Sequence, residues 1–121
     1  MTRKEIQEVT EKVYNKVIEH YGESKYHKQL PYVSIEDTPY SDAVVPKELY
    51  GEYCHMINEV TLYWKNIPSL ELLIRTLVLE YQHYLQSPQW MVRYYKMGYS
   101  YNTHPYEIAA FAEEENWKTF V

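Results

Sequence analysis

The feature that most constrains this chain is the run from Leu70 to Gln86, bracketed by Pro68 and Pro88. Its apolar residues recur at three- and four-residue spacing, the period of a helix that buries one face. Ser69 stands where an N-cap is needed, and Glu71 falls in the first turn, where the helix dipole favours a negative charge. Pro88 biases the residue before it away from helical backbone, so the helix is expected to stop at about Gln86. At about 100° per residue, Leu70, Leu73, Ile74, Leu77, Tyr81, Tyr84 and Leu85 form a core stripe, whereas Glu71, Arg75, Gln82 and Gln86 are expected to face solvent. A third face carries Leu72, Thr76, Leu79 and His83, with Glu80 at its edge. It is neither core stripe nor polar surface, so it is expected to look onto a second element or a cleft.

The flanking sequence supplies the rest of an α+β chain. Residues 3 to 21 repeat the helical period through Ile6, Val9, Val13, Val17 and Ile18, and Gly22 is a natural stop. Tyr32, Val33 and Ile35 suggest a short strand, and Pro39, Ser41, Asp42 and Pro46 a loop after it. The runs Tyr50 to Ile57 and Glu59 to Trp64 flank Asn58, a turn residue, and read as a hairpin. A short helix is expected over Gln89 to Met97, stopping at Gly98. A last one opens at Pro105 and runs through Trp117. Helix, strands, then helices is an α+β order. With no internal repeat, low-complexity tract or Gly/Ser linker, residues 1–121 are read as one domain.

Composition narrows the function classes. No apolar run approaches the roughly 20 residues that cross a bilayer; Glu71, Arg75 and Thr76 interrupt the longest candidate, Leu70 to Leu79. The N-terminus has a charged start but no apolar stretch behind it, so it does not read as a secretory signal. One cysteine, Cys54, allows no internal disulfide, and a cytoplasmic setting is the default. A net charge of −5 argues against a nucleic-acid binder, and Arg93 and Lys96 beside Tyr94, Tyr95, Tyr99 and Tyr101 are too few basic residues for a stacking platform. Fifteen tyrosines in 121 residues suit half-buried margins, where the ring packs and the hydroxyl reaches a polar partner.

On the third face, Leu79-Glu80-Tyr81-Gln82-His83 has the shape of His-Glu-x-x-His with leucine in first place. In that motif, residues at i and i+4 put two imidazoles on one metal, and the intervening glutamate polarises the metal-bound water. Downstream, His104-Pro105-Tyr106-Glu107-Ile108-Ala109-Ala110 opens the last helix. Together these resemble the zincin metallopeptidases, specifically the gluzincin type, whose third ligand is a helix-borne glutamate. The Gln86-Ser87-Pro88 segment and the tyrosine-rich stretch after it are similar to small zincin-like proteins of phage genomes. The resemblance covers roughly residues 50 to 117.

The resemblance implies a zincin-like fold with a small, mainly antiparallel sheet. It implies Glu80 as general base, with His83 and Glu107 as zinc ligands and Leu79 at the first ligand position. Leu79, Tyr99 and Tyr101 would line a substrate or partner groove. Leucine cannot coordinate, and zinc enzymes almost always use three protein ligands. The expectation is therefore a vestigial zinc site of low occupancy and a protein that binds a peptide or protein partner, in the host cytoplasm or a virion if phage-encoded. Two other readings stay open: an active zinc peptidase using His83, Glu107 and His104, or a structural or virion-associated domain without metal. His55, on the expected hairpin, is a weaker ligand candidate.

Overall fold

The computed structural model describes residues 1–37 and 49–121. The expected loop over Pro39 to Pro46 lies outside them. Helix α1 (Arg3–Tyr21) begins at Thr2, whose hydroxyl accepts from Glu5 N–H, and ends where Gly22 takes φ +76° and donates back to Ile18 O. That left-handed backbone costs a glycine little. Strand β1 (Tyr32–Glu36) follows, then β2 (Gly51–Cys54) and β3 (Glu59–Tyr63), joined by a turn in which Asn58 has φ +50°. A 3-10 turn (Trp64–Asn66) leads to α2 (Leu70–Leu85), α3 (Pro88–Lys96), α4 (Pro105–Glu113) and a 3-10 segment (Glu114–Phe120). The last helix thus stops four residues short of Trp117, and the chain tightens into 3-10 turns that bury Phe120.

The architecture is α+β, with a three-stranded sheet in the order β1-β3-β2. The sheet is mixed, not mainly antiparallel: β2 pairs antiparallel with β3, while β1 pairs parallel with β3. A hairpin fixes the first relation. The second follows because the connection between β1 and β3 is long enough for a parallel crossover and carries β2 within it, so β2 falls on the far side of β3. Among the described residues β2 is thereby an edge strand, with Gly51 buried against α2.

The sheet buries one face. Val60 and Leu62 of β3 pack on Leu73, Ile74, Leu77, Val78, Tyr81 and Tyr84 of α2, which Ile6, Val13 and Val17 of α1 cover from another side. Because α2 is packed against α1, α4, the sheet and the C-terminal segment, its solvent stripe is narrower than the sequence suggested. Gln82 is buried, its amide folded back on Val78 O, and Gln86 turns inward, while Leu70 in the first turn is left exposed. Buried Tyr81 and Tyr84 and half-buried Tyr14 engage backbone at the core margin through their hydroxyls: Tyr81 donates to Gly22 O, Tyr14 donates to Pro31 O, and Tyr84 accepts from Ser24 N–H. Among the described residues no helix is long and apolar enough to cross a membrane.

Candidate functional site

Helix α2 supplies Glu80 and His83, and α4 supplies Glu107 in its first turn; the packing of α4 on α2 brings Glu107 onto His83, with Glu80 near enough to feel both charges. Glu80 and Glu107 are each 7% exposed, so three ionisable groups share a largely dry space. His83 Nδ1 lies 2.8 Å from Gln86 Oε1, and Gln86 Nε2 donates to Tyr106 O at 2.9 Å. Gln86 Oε1 can only accept, so Nδ1 carries a proton. This is the device that orients a metal-binding imidazole, with Nε2 turned to the ligand. Nε2 lies 3.3 Å from Glu107 Oε2. That oxygen is buried, and no donor reaches it in hydrogen-bonding geometry.

Burial pushes the Glu80 carboxyl up to about 7; the His83 charge opposes the shift, and Glu107 adds to it. Burial works in the other direction on His83, but Glu107, Glu80 and Gln86 outweigh it and leave the imidazole raised. Tyr101 is raised as well, by burial first and then by the charges of Glu107 and Glu80.

Two cavities flank the cluster. One, of about 260 Å³, is lined by His83 and Glu107 with Tyr53, His55, Met91 and Tyr95. The other, of about 420 Å³, is lined by Leu79 and Glu80 with Gly51, Tyr101, Phe111 and Glu114. Strand β2 is the shared rim, Gly51 at one cavity and Tyr53 at the other. Tyr63 N–H donates to Tyr50 O, so Tyr50 and Glu52 turn their backbone groups to β3, and Gly51 and Tyr53 turn theirs outward. Those outward N–H and C=O groups have no partner among the described residues. A larger groove, about 520 Å³, runs between α1 and β1, but none of the candidate residues lines it.

No family model, curated protein or solved structure matches the chain. The site therefore has to be read from its own chemistry.

A zinc ion can be tested against that chemistry. Two donors about 2.0–2.1 Å from a tetrahedral cation stand roughly 3.4 Å apart; His83 Nε2 and Glu107 Oε2 are 3.3 Å apart, with the oxygen otherwise unpartnered. This pair fits one edge of a metal site, and the site stops there. Leu79 offers no donor, and among the described residues no three of His, Cys, Asp and Glu converge to hold an ion. His104 does not join the pair. It is fully buried as the N-cap of α4, Nδ1 accepting from Tyr106 N–H at 3.1 Å and Nε2 facing Met91 O at 2.9 Å. With both ring nitrogens held, it has no lone pair to give. The residues present do not fit a resident catalytic zinc.

The remaining candidates divide. Leu79 and Tyr101 line the cavity with Glu80, but Tyr99 packs edge-on against Tyr94 at 5.6 Å and lines neither cavity. Two residues of the site carried no role in the sequence reading. Tyr53 stands on the rim, and Glu114 reaches the Glu80 cavity. Glu114 lies seven residues after Glu107, two helical turns along one face, and that spacing was available as a signal.

Proposed function

We propose that this chain is a zincin-like domain whose metal site is vestigial and whose cleft binds an extended peptide or protein segment without cutting it. One observation carries the reading: His83 Nε2 and Glu107 Oε2 stand at a chelating separation, while Leu79, at the sequence position of the motif's first ligand, offers no donor. Hydrolysis needs a third ligand to hold the metal that would activate water. Binding needs only the cleft, in which an extended segment can lie beside the edge strand β2. The resemblance to phage proteins suggests work as a virion component or in host cytoplasm. The rearranged peptidase is disfavoured by the two occupied nitrogens of His104. Coincidence of motif is disfavoured by the convergence of side chains from α2 and α4.

The test is metal content by mass spectrometry of protein purified without chelator or metal-affinity resin, alongside a peptidase assay. The expected result is near-zero zinc and no cleavage for the natural chain, and about one zinc per chain for Leu79→His. Stoichiometric zinc or chelator-sensitive cleavage in the natural chain overturns the reading.

A further inference from the structure

The groove between α1 and β1 runs along a strand edge. All five residues of β1 line it, those of both faces alike, so it follows the outer side of the strand and not one face of the sheet. Its other wall is one stripe of α1, Arg3, Gln7, Thr10, Glu11 and Tyr14, each with a polar group. Tyr32 N–H donates to Asn58 O at the start of β3. Tyr32, Ser34 and Glu36 therefore turn their backbone groups to β3, and Val33 and Ile35 turn theirs to the groove. Both residues are half-exposed. Ile35 O accepts from Arg3 Nη2 at 3.0 Å, whereas Val33 N–H, Val33 O and Ile35 N–H have no partner among the described residues.

Thr10 points to a ligand independently. It is 4% exposed, lines the groove, and its hydroxyl has no hydrogen-bond partner among the described residues. A threonine inside a helix can turn its hydroxyl to the carbonyl one turn back, as Thr76 does to Leu72 O at 2.6 Å. Thr10 does not, and a buried polar atom left in this way calls for a partner from the groove. The free backbone groups of β1 suit extended backbone, and the charges give it a direction. Arg3 binds at the Ile35 end and Tyr14 at the Pro31 end, so α1 runs antiparallel to β1. Glu11 lies eight residues beyond Arg3, about 12 Å along the helix. Neither Arg3 nor Glu11 forms a salt bridge with a described residue. On an added strand, the residues opposite Ile35 and Pro31 are four apart, about 13 Å, and project to the same face of the sheet as Val33 and Ile35, the face that packs on the helices.

We infer that the edge of β1 takes up an extended peptide as an added antiparallel strand, with an acidic residue at Arg3, a hydroxyl-bearing residue at Thr10 and a basic residue at Glu11. Arg3 exchanges Ile35 O for the acidic side chain, and a peptide N–H takes its place on that carbonyl. The site is separate from the cleft between α2 and α4 and stands whatever that cleft binds.

The experiment combines amide hydrogen exchange with fluorescence anisotropy. Its ligand is a fluorescein-labelled, amidated peptide, Ser-Glu-Val-Thr-Val-Lys-Ser, compared with a counterpart in which the acidic and basic residues trade places. In the free chain the Val33 and Ile35 amides are expected to exchange quickly, and saturating peptide should slow both by at least about tenfold. The peptide should bind about tenfold more tightly than its charge-swapped counterpart, and the chain carrying Arg3→Glu with Glu11→Arg should reverse that preference. Both positions are exposed, so the double variant keeps the fold. Thr10→Val should weaken the peptide about tenfold while raising the urea midpoint of the free chain, because it removes an unpaired buried hydroxyl. If the Val33 and Ile35 amides are already slow in the free chain, the chain itself covers the edge and the inference falls. It falls equally if the peptide does not bind at about 1 mM, or binds without slowing those two amides. A charge preference that is absent, or that survives the double variant, overturns the roles of Arg3 and Glu11.

Discussion

Gly51 lies against Thr76 with no room for a side chain between β2 and α2: a Cβ built on Gly51 would stand 2.8 Å from Thr76 Cγ2 and 2.7 Å from Thr61 O. The backbone oxygen cannot yield without breaking the β2–β3 ladder, so the strand itself would have to move. Gly51→Ala is expected to cost about 1–3 kcal/mol, read as a lower midpoint in urea denaturation. It should also weaken peptide binding, because the displaced strand is the rim of the cleft.

Metal affinity separates the residues that form the site from those that border it. In the Leu79→His background, His83→Ala and Glu107→Gln are each expected to lower zinc affinity by about 100-fold or more. Residues that only orient ligands already account for about 10–100-fold. His104→Asn, which can still cap α4, should leave that affinity unchanged. Competition against a chromogenic chelator reads all three, and a large loss in His104→Asn would make that histidine a ligand after all.

Stability should fall with rising pH in metal-free protein. The Glu80 carboxyl is raised from its ordinary 4.5 to about 7, so between these values the folded chain holds a proton that the unfolded chain has released. Stabilisation present at lower pH is lost across that window. His83, raised above 6.5, acts in the same sense: its stabilisation is complete below 6.5 and is lost as pH rises through its folded value. The fall from Glu80 is at most about 3 kcal/mol. Urea denaturation in chelator across about pH 5 to 8.5 should show it, and Glu80→Gln should remove most of the slope below about pH 7. A slope unchanged in that variant contradicts the assignment.

His104 is a structural residue with a measurable load. It caps α4, binds Met91 O, and packs against Tyr95 at 4.5 Å and Tyr94 at 5.3 Å. His104→Ala removes a cap and leaves a void, for an expected loss of about 2–4 kcal/mol. His104→Asn should recover part of it, which thermal unfolding of the two variants resolves.

The elements legible in sequence were those closed by local signals. Thr2 and Gly22 bound α1, Ser69 and Pro88 bound α2, and Asn58 turns the hairpin, because caps, prolines and positive-φ positions act within a few residues of themselves. The i,i+3 relation of Glu80 to His83 follows from helix geometry alone. That Glu107 would meet them could be anticipated only through resemblance, since it depends on how α4 lies against α2.

What the chain determined by itself is the set of helices, the hairpin and a side chain without a donor atom at Leu79. What tertiary structure decided is where each side chain spends its polar groups. The parallel pairing of β1 with β3 placed β3 at the centre of the sheet and β2 at its edge. Packing on several sides of α2 turned Gln82 and Gln86 inward, and the seat between α3 and α4 tied up His104. These outcomes depend on contacts between residues distant in sequence, where burial forces every polar atom to find a partner that no local pattern specifies.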